Sequence, residues 1–409
     1  MGDEAAIEQL IADTTNGKYT LKYPKNGSYK SAIIMKDLDG DDTAEAIAFC
    51  KEGDSVTGIH MLVMFDNDGE WELSSDSVTE TTDIDCVDFA DVNADGRLEI
   101  LLGSTTYTTN INQLSCYSYA DGTTDSISSN QIYSSFYCGD FNADGDDEII
   151  SLLLYSTENE ASASMLDYNE DKNSLYTKAT VSMDPNVVKY KNVTVSPLGT
   201  DATGIVIDGS FSNEDINTQI IYYNKELSLL RNPLFKDKSK SFTQRSLNII
   251  SSDIDNDSFV EIPAVAALPH PKDSDEQDTA VSKVEWYSFN PNDETTSIKT
   301  TMIACYSLKF AIKIPESWNS NTVTATLDTE NNCVQFYEWN KSDYGSKLFE
   351  IKMFDVADWN KGKYSDDYTL ISKDDNHAYT FKNENSESEY SLSDDEIKTA
   401  FSALTETTV

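Results

Sequence analysis

Histidine is almost missing from this chain of 409 residues, with three in all, and bases are scarce beside acids: 30 Lys and Arg against 72 Asp and Glu. His60, His270 and His377 lie in three separate regions, and neither H-E-x-x-H nor G-x-S-x-G occurs, so no catalytic triad or zinc-protease site is visible. A formal net charge of −42 repels nucleic acid and anionic membrane and leaves cations as the natural companions. No apolar run approaches the roughly eighteen residues of a membrane span. No basic-then-apolar signal opens the chain, and a signal segment outside this sequence is the expectation. Six cysteines, Cys50, Cys86, Cys116, Cys138, Cys305 and Cys333, form no CxxC pair and have no companion histidines, which leaves zinc and thioredoxin-type chemistry unsupported. Buried free thiols are the expectation for most, with disulfides left open.

What is present suits strands. The chain is 39% hydrophobic and carries 22 Tyr and 16 Phe, enough for proper cores and a mainly β fold. One acidic stretch recurs four times: "DLDGDDTAEAIAF" from Asp37, "DVNADGRLEILLG" from Asp91, "DFNADGDDEIISL" from Asp140 and "DIDNDSFVEIPAV" from Asp253. Their spacing leaves room for one degenerate copy near residue 197, "VTVSPLGTDATGIVIDG", which keeps only Asp201 of the acids. A period of about 54 residues signals a repeat architecture. Each unit reads as four short β segments, in the first "SAIIMKDL", "EAIAFC", "IHMLVMFD" and "WELSSD", with an Asp-Gly hairpin turn before the last.

The expected fold is therefore mainly β: a five-bladed β-propeller of four-stranded antiparallel blades over residues 31–302, with a C-terminal α+β domain over 303–409. Residues 1–30 are expected to hold a helix with Ile7, Leu10 and Ile11 on one face, beside the first or last blade, and a strand "YTLKYP" that joins the last blade and closes the ring. Near the end, Ser393 and Glu396 form a capping box, with Ile397, Ala400, Phe401 and Leu404 placed on one helical face.

Within each acidic loop, positions 1, 3, 5 and 9 are side-chain oxygen donors and position 7 offers a backbone carbonyl. The sets are Asp37, Asp39, Asp41, Thr43, Glu45; Asp91, Asn93, Asp95, Arg97, Glu99; Asp140, Asn142, Asp144, Asp146, Glu148; and Asp253, Asp255, Asp257, Phe259, Glu261. Several carboxylates with no imidazole or thiolate suit Ca²⁺ over a transition metal, and a flexible loop suits it over octahedral Mg²⁺. About four sites are expected, one per intact loop. An EF-hand would need Glu at position 12, where Ala48, Leu102, Ser151 and Ala264 stand.

These loops resemble the FG-GAP or VCBS-type repeats of bacterial surface proteins and integrin α chains, and the opening "LKYPKNGSYKSAIIMKDLDGDDTAEAIAF" is similar to that of bacterial lipoproteins carrying such repeats. The tail resembles the PsbP-like fold. Ser258 departs from the pattern where a loop glycine is expected. The resemblance implies calcium that braces a propeller, a cell-surface lipoprotein outside the cytosol, and a role in adhesion or in recognition of a glycan or protein. A monomer with no enzymatic activity is expected. An enzyme acting on a surface polysaccharide and a purely structural spacer are the alternatives. Trp318, Trp339 and Trp359 read as core rather than as sugar platforms. Lys189, Lys191, Lys236, Lys238, Lys240 and Arg245 stand out in so acidic a chain, as solvated loops or as a patch for an anionic ligand. The connection "PHPKDSDEQDTAVS" is a second candidate contact loop.

Overall fold

Strand Glu45–Glu52 is buried along its first six residues, a run that only a strand covered on both faces can carry. Its alternating side chains divide between two cores: Ile47 and Phe49 face one way, Ala46, Ala48 and Cys50 the other. The structure, a computed structural model, describes residues 3–53, 58–79, 81–106, 111–236, 241–272, 280–318 and 321–404. Among them the chain is mainly β, in six antiparallel sheets of four to five strands. Contacts divide it into two units, Met1–Ile207 with Gln219–Asp237, and Asp208–Thr218 with Lys238–Val409.

In the first unit, the opening sheet joins Ile33–Lys36, Glu45–Glu52, Ile59–Asn67 and Glu70–Thr79. These are the four segments expected of a repeat, and Asp68 and Gly69, at φ 55° and 93°, make the hairpin turn between the last two. The second sheet is built on Thr81–Ala90, Glu99–Thr106, Asn112–Ala120 and Thr123–Ile127, and the third on Ser135–Gly139, Glu148–Leu153, Ser162–Asn169 and Ser174–Ser182. Lys189–Pro197, Thr203–Ser210, Ile216–Asn224 and Leu229–Arg231 form the fourth, of which residues 208–210 and 216–218 count with the second unit, and Asp201 lies in the turn between its first two strands. Successive sheets share cores. Ile100 and Leu102 pack toward the first sheet and Leu101 toward the third; Ile149 packs toward the second and Ile150 toward the fourth.

Helix Asp3–Thr14 inserts Ile7 and Ile11 against Ala46, Ala48, Leu62 and Met64 of the first sheet, with Leu10 at the rim, as its apolar face requires. The ring-closing role expected of "YTLKYP" is corrected. Tyr19–Leu21 pairs antiparallel with Glu45–Glu52 in the first sheet itself, Tyr19 opposite Glu52. A short strand finds its hydrogen bonds on the nearest open edge, and the helix leads the chain there.

In the second unit, Ile262–Ala266, Val281–Asn290, Thr295–Cys305, Phe310–Lys313 and Phe401–Ala403 form the fifth sheet. The strand before its acidic loop shrinks to one bridge, Ser252 with Glu261. Thr295–Cys305 runs across residue 302, and its sheet continues into strands from both ends of the tail. Val323–Asp328, Cys333–Trp339, Tyr344–Asp355, His377–Asn383 and Thr369–Lys373 form the sixth. It shares a core with the fifth, where Phe310 and Ile312 meet Phe336, Phe349 and Phe381.

The expected C-terminal α+β domain is not evident. Helices in the tail are short, Val356–Trp359 and Asp394–Ala400. The Ser393–Glu396 capping box is present and Ile397 is buried, but Phe401 is extended and begins a strand, so it and Leu404 leave the helical face. Three backbone pairings with Phe310–Lys313 outweigh one more helical turn.

Candidate functional site

All four intact acidic loops fold on the same frame. The glutamate at position 9 starts the following strand in the first three copies and stands just before it, as a bridge residue, in the fourth. One of its oxygens accepts the amide of position 2: Leu38 to Glu45 at 2.8 Å, Val92 to Glu99 at 2.9 Å, Phe141 to Glu148 and Ile254 to Glu261 at 3.0 Å. The aspartate at position 1 accepts the amide of position 6, Asp42, Gly96, Gly145 and Ser258 respectively, at 2.9–3.1 Å. The position 7 amide donates to the position 5 carboxylate, from Thr43, Arg97, Asp146 and Phe259. Positions 4 and 6 take positive φ in every copy, including Ser258 at 75°, where the pattern favours glycine. Strands, or in the fourth copy a bridge and a strand, flank each loop where an EF-hand would place helices, which excludes the EF-hand. The degenerate copy is a shorter turn closed by the Leu198 amide on the Ala202 carbonyl, with Asp201 exposed.

These loops concentrate like charge against buried strands. Glu45, Glu99, Glu148 and Glu261 are at most 3% exposed. Burial first, then the neighbouring aspartates, pushes Glu45 and Glu99 up to about 7 and Glu148 up to about 8. In the first loop, carboxylate oxygens of Asp37, Asp39 and Asp41 lie within 4.8 Å of one another, and Asp39 Oδ1 is buried without a hydrogen-bond partner. Closely set hard oxygens with one buried acceptor unsatisfied fit a hard divalent cation. The fifth sheet's loop differs. Lys299 Nζ lies 2.9 Å from Asp255 and 3.0 Å from Glu261 and also contacts Asp257.

Two groups beside the loops escaped the sequence reading. The buried phenol of Tyr119, from the second sheet, is kept protonated first by burial and then by Glu45, Asp39 and Asp41 of the first loop. Tyr168, from the third sheet, feels Glu99 and Asp95 of the second loop after burial and Glu170. Each is a tyrosine on the third strand of the following sheet, a recurrence visible only once strands are placed.

The basic residues are scattered. Lys189 and Lys191 share one exposed face of Lys189–Pro197 and line an open groove of about 540 Å³ with Tyr137, Tyr190 and Asp85. Lys236 is exposed; Lys238 and Lys240 lie outside the described residues, as does half of "PHPKDSDEQDTAVS". Arg245 does not belong to a surface patch. It is 3% exposed, and its guanidinium is held at 2.8 Å by the equally buried Asp208. Trp318 is core, its indole N–H donating to the Tyr390 carbonyl at 3.1 Å, while Trp339 and Trp359 are half-buried against Tyr344 and Phe354. His60 meets Asp76 at 2.8 Å and His377 faces Asp374. All six cysteines are free.

No protein-family model matches the chain, and no curated sequence matches it. Solved structures give distant likenesses. A protein from Lactobacillus plantarum is 9% identical over 80% of this chain and 94% of its own, with a TM-score of 0.30. The rhamnogalacturonan lyase PL11 of Bacillus licheniformis is 12% identical over 73% and 67%, at 0.32. Sqt1 of Saccharomyces cerevisiae is 10% identical over 88% and 86%, at 0.34. Likenesses this weak carry no argument about activity.

Proposed function

We propose that the acidic loops bind Ca²⁺ and that the protein is a calcium-braced, non-enzymatic recognition module of the cell surface, its sheets serving as propeller-type blades. The observation that carries the calcium reading is the fourfold loop frame with its buried glutamate, joined to the unpartnered Asp39 Oδ1. Asp37, Asp39, Asp41 and Glu45 would hold the first ion, Asp91, Asn93, Asp95 and Glu99 the second, Asp140, Asn142, Asp144 and Glu148 the third, with the carbonyls of Thr43, Arg97 and Asp146 completing the shells. Asp253, Asp255, Asp257 and Glu261, with the Phe259 carbonyl, make the fourth candidate set. A bound ion neutralises carboxylates that otherwise repel, so its role is to brace the junction of the first two strands.

Such sites fill where calcium is abundant, which favours an extracellular home, as the lipoprotein resemblance does. Recognition is assigned to the groove of Lys189 and Lys191, where two cations beside tyrosines suit an anionic glycan or an acidic protein segment. Metal analysis and calorimetry of protein stripped with chelator and returned to millimolar calcium test the first part; no uptake removes it. A glycan and protein array with the unaltered chain and with Lys189→Glu/Lys191→Glu tests the second. Binding of an anionic ligand that the variant loses supports the groove, and a ligand kept by the variant removes it. Turnover of a polysaccharide on the same array would favour an enzyme, and silence on both would leave a structural spacer.

A further inference from the structure

Sheets one, three and five share a bulge. In the pairing of the third strand with the fourth, and in the fifth sheet in the equivalent pairing of Val281–Asn290 with Thr295–Cys305, one extra residue stands on the later strand: Ser74, Lys178 and Lys299, in each case the fifth residue of its strand. A bulge re-aims the side chain of its extra residue, and in the fifth sheet that side chain reaches the acidic loop.

The three residues meet different fates. Ser74 carries a neutral hydroxyl and donates it to the Gly122 carbonyl. Lys178 is drawn aside by Asp167, 2.7 Å away on the third strand. The position matching Asp167 in the fifth sheet is Ser288, which bonds Ser297 across the pair, so no carboxylate at that position diverts Lys299. Its ammonium reaches Asp255, Asp257 and Glu261, three of the four side chains of that cage. The first loop carries the same four carboxylates at positions 1, 3, 5 and 9, and there Asp39 Oδ1 has no partner.

We propose that Lys299 is the resident cation of the fifth sheet's acidic loop, a tethered ammonium that closes the loop without a metal, so that calcium fills only the loops starting at Asp37, Asp91 and Asp140. The inference rests on the calcium reading of those three loops and refines it for the fourth. An ion entering this cage must displace a side chain already held by three carboxylates and present at high effective concentration. The loop therefore stays formed when calcium is scarce.

The test is calcium stoichiometry by metal analysis and calorimetry on the unaltered chain and on Lys299→Gln, with amide hydrogen exchange at Ile254 and Ser258 in excess chelator. The expected result is three ions rising to four in the variant, and exchange in chelator that is slow in the unaltered protein and at least tenfold faster in Lys299→Gln. Four ions in the unaltered protein overturn the proposal without recourse to any variant. Three in both proteins also overturn it, because the lysine is then not what keeps the ion out. No ion in either removes the calcium reading, and the proposal with it.

Discussion

The amide of Leu98 donates to the carbonyl of Leu38 at 2.8 Å, fastening the eighth residue of the second acidic loop to the second residue of the first. One loop further on, the Asp147 amide donates to the Asp91 carbonyl at 3.1 Å and the Asp91 amide to Asp147 Oδ2 at 3.2 Å. Three loops are thus joined in series through backbone groups. Each filled loop should add about 1.4–2.7 kcal/mol where calcium stands at ten to a hundred times its dissociation constant. Chelation is expected to lower Tm by several degrees. It should also speed amide exchange at Leu98 and Asp147 together, read by exchange mass spectrometry. Acceleration confined to one loop would show that the series does not transmit.

Glu99→Gln separates the cost of the buried charge from its use. The unfolded carboxyl titrates near 4.5 and the folded one near 7, so the folded state holds the extra proton between those values. Stability without calcium therefore falls as pH rises from 4.5 through 7, and above 7 the full penalty is present. In chelator at pH 8 the glutamine variant should be more stable by on the order of 1–3 kcal/mol. In millimolar calcium the order reverses, since the variant lacks a ligand. Urea melts in the two buffers check the crossing; a variant less stable in both would show that the glutamate is structural.

The donor spacing of the loops was legible because it is local: alternate positions over nine residues place the oxygens, and the backbone frame follows. So were the hairpin at Asp68–Gly69 and the helix face of Ile7 and Ile11. Lys299 was not, because it stands 38 residues beyond Glu261 and reaches the loop only through a bulge that no periodicity marks. Arg245 was misplaced for a related reason. Sequence shows its charge among lysines but not Asp208, 37 residues earlier, which draws it inside. At the tail, Ser393 and Glu396 start a helix as their spacing demands, yet its end is set by pairing of Phe401 with Ile312, a partner far back in the chain.

Thiol reactivity offers a check on the cores between sheets. Burial, followed by nearby acids, pushes Cys50 and Cys333 up to about 11 and Cys86 up to about 12, and Cys116 and Cys138 also lie well above the ordinary thiol range. Thiolates are the reactive form, so the folded protein at pH 8 should react with a disulfide reagent at a small fraction of the rate of a free thiol. In guanidinium all six should titrate at once. Fewer than six would reveal a disulfide, against the free thiols of the structure.

Asp208 and Arg245 give the sharpest stability prediction, because both side chains are fully buried. Asp208 accepts from Arg245, Thr218, the Ser251 amide and the Ser251 hydroxyl, while Arg245 also donates to the carbonyls of Ile249 and Thr243. Removing one partner strands the other charge away from water, at a cost of roughly 3–5 kcal/mol. Arg245→Met and Asp208→Asn should each lower stability by about that much, and the double variant by clearly less than their sum, measured by urea unfolding. The control is Lys25 with Asp83, a pair 2.9 Å apart but largely exposed, where Lys25→Met should cost under about 1 kcal/mol. Equal losses at the two sites would mean that burial does not set the value of these pairs, and additive losses at Asp208 and Arg245 would mean that the two charges do not depend on each other.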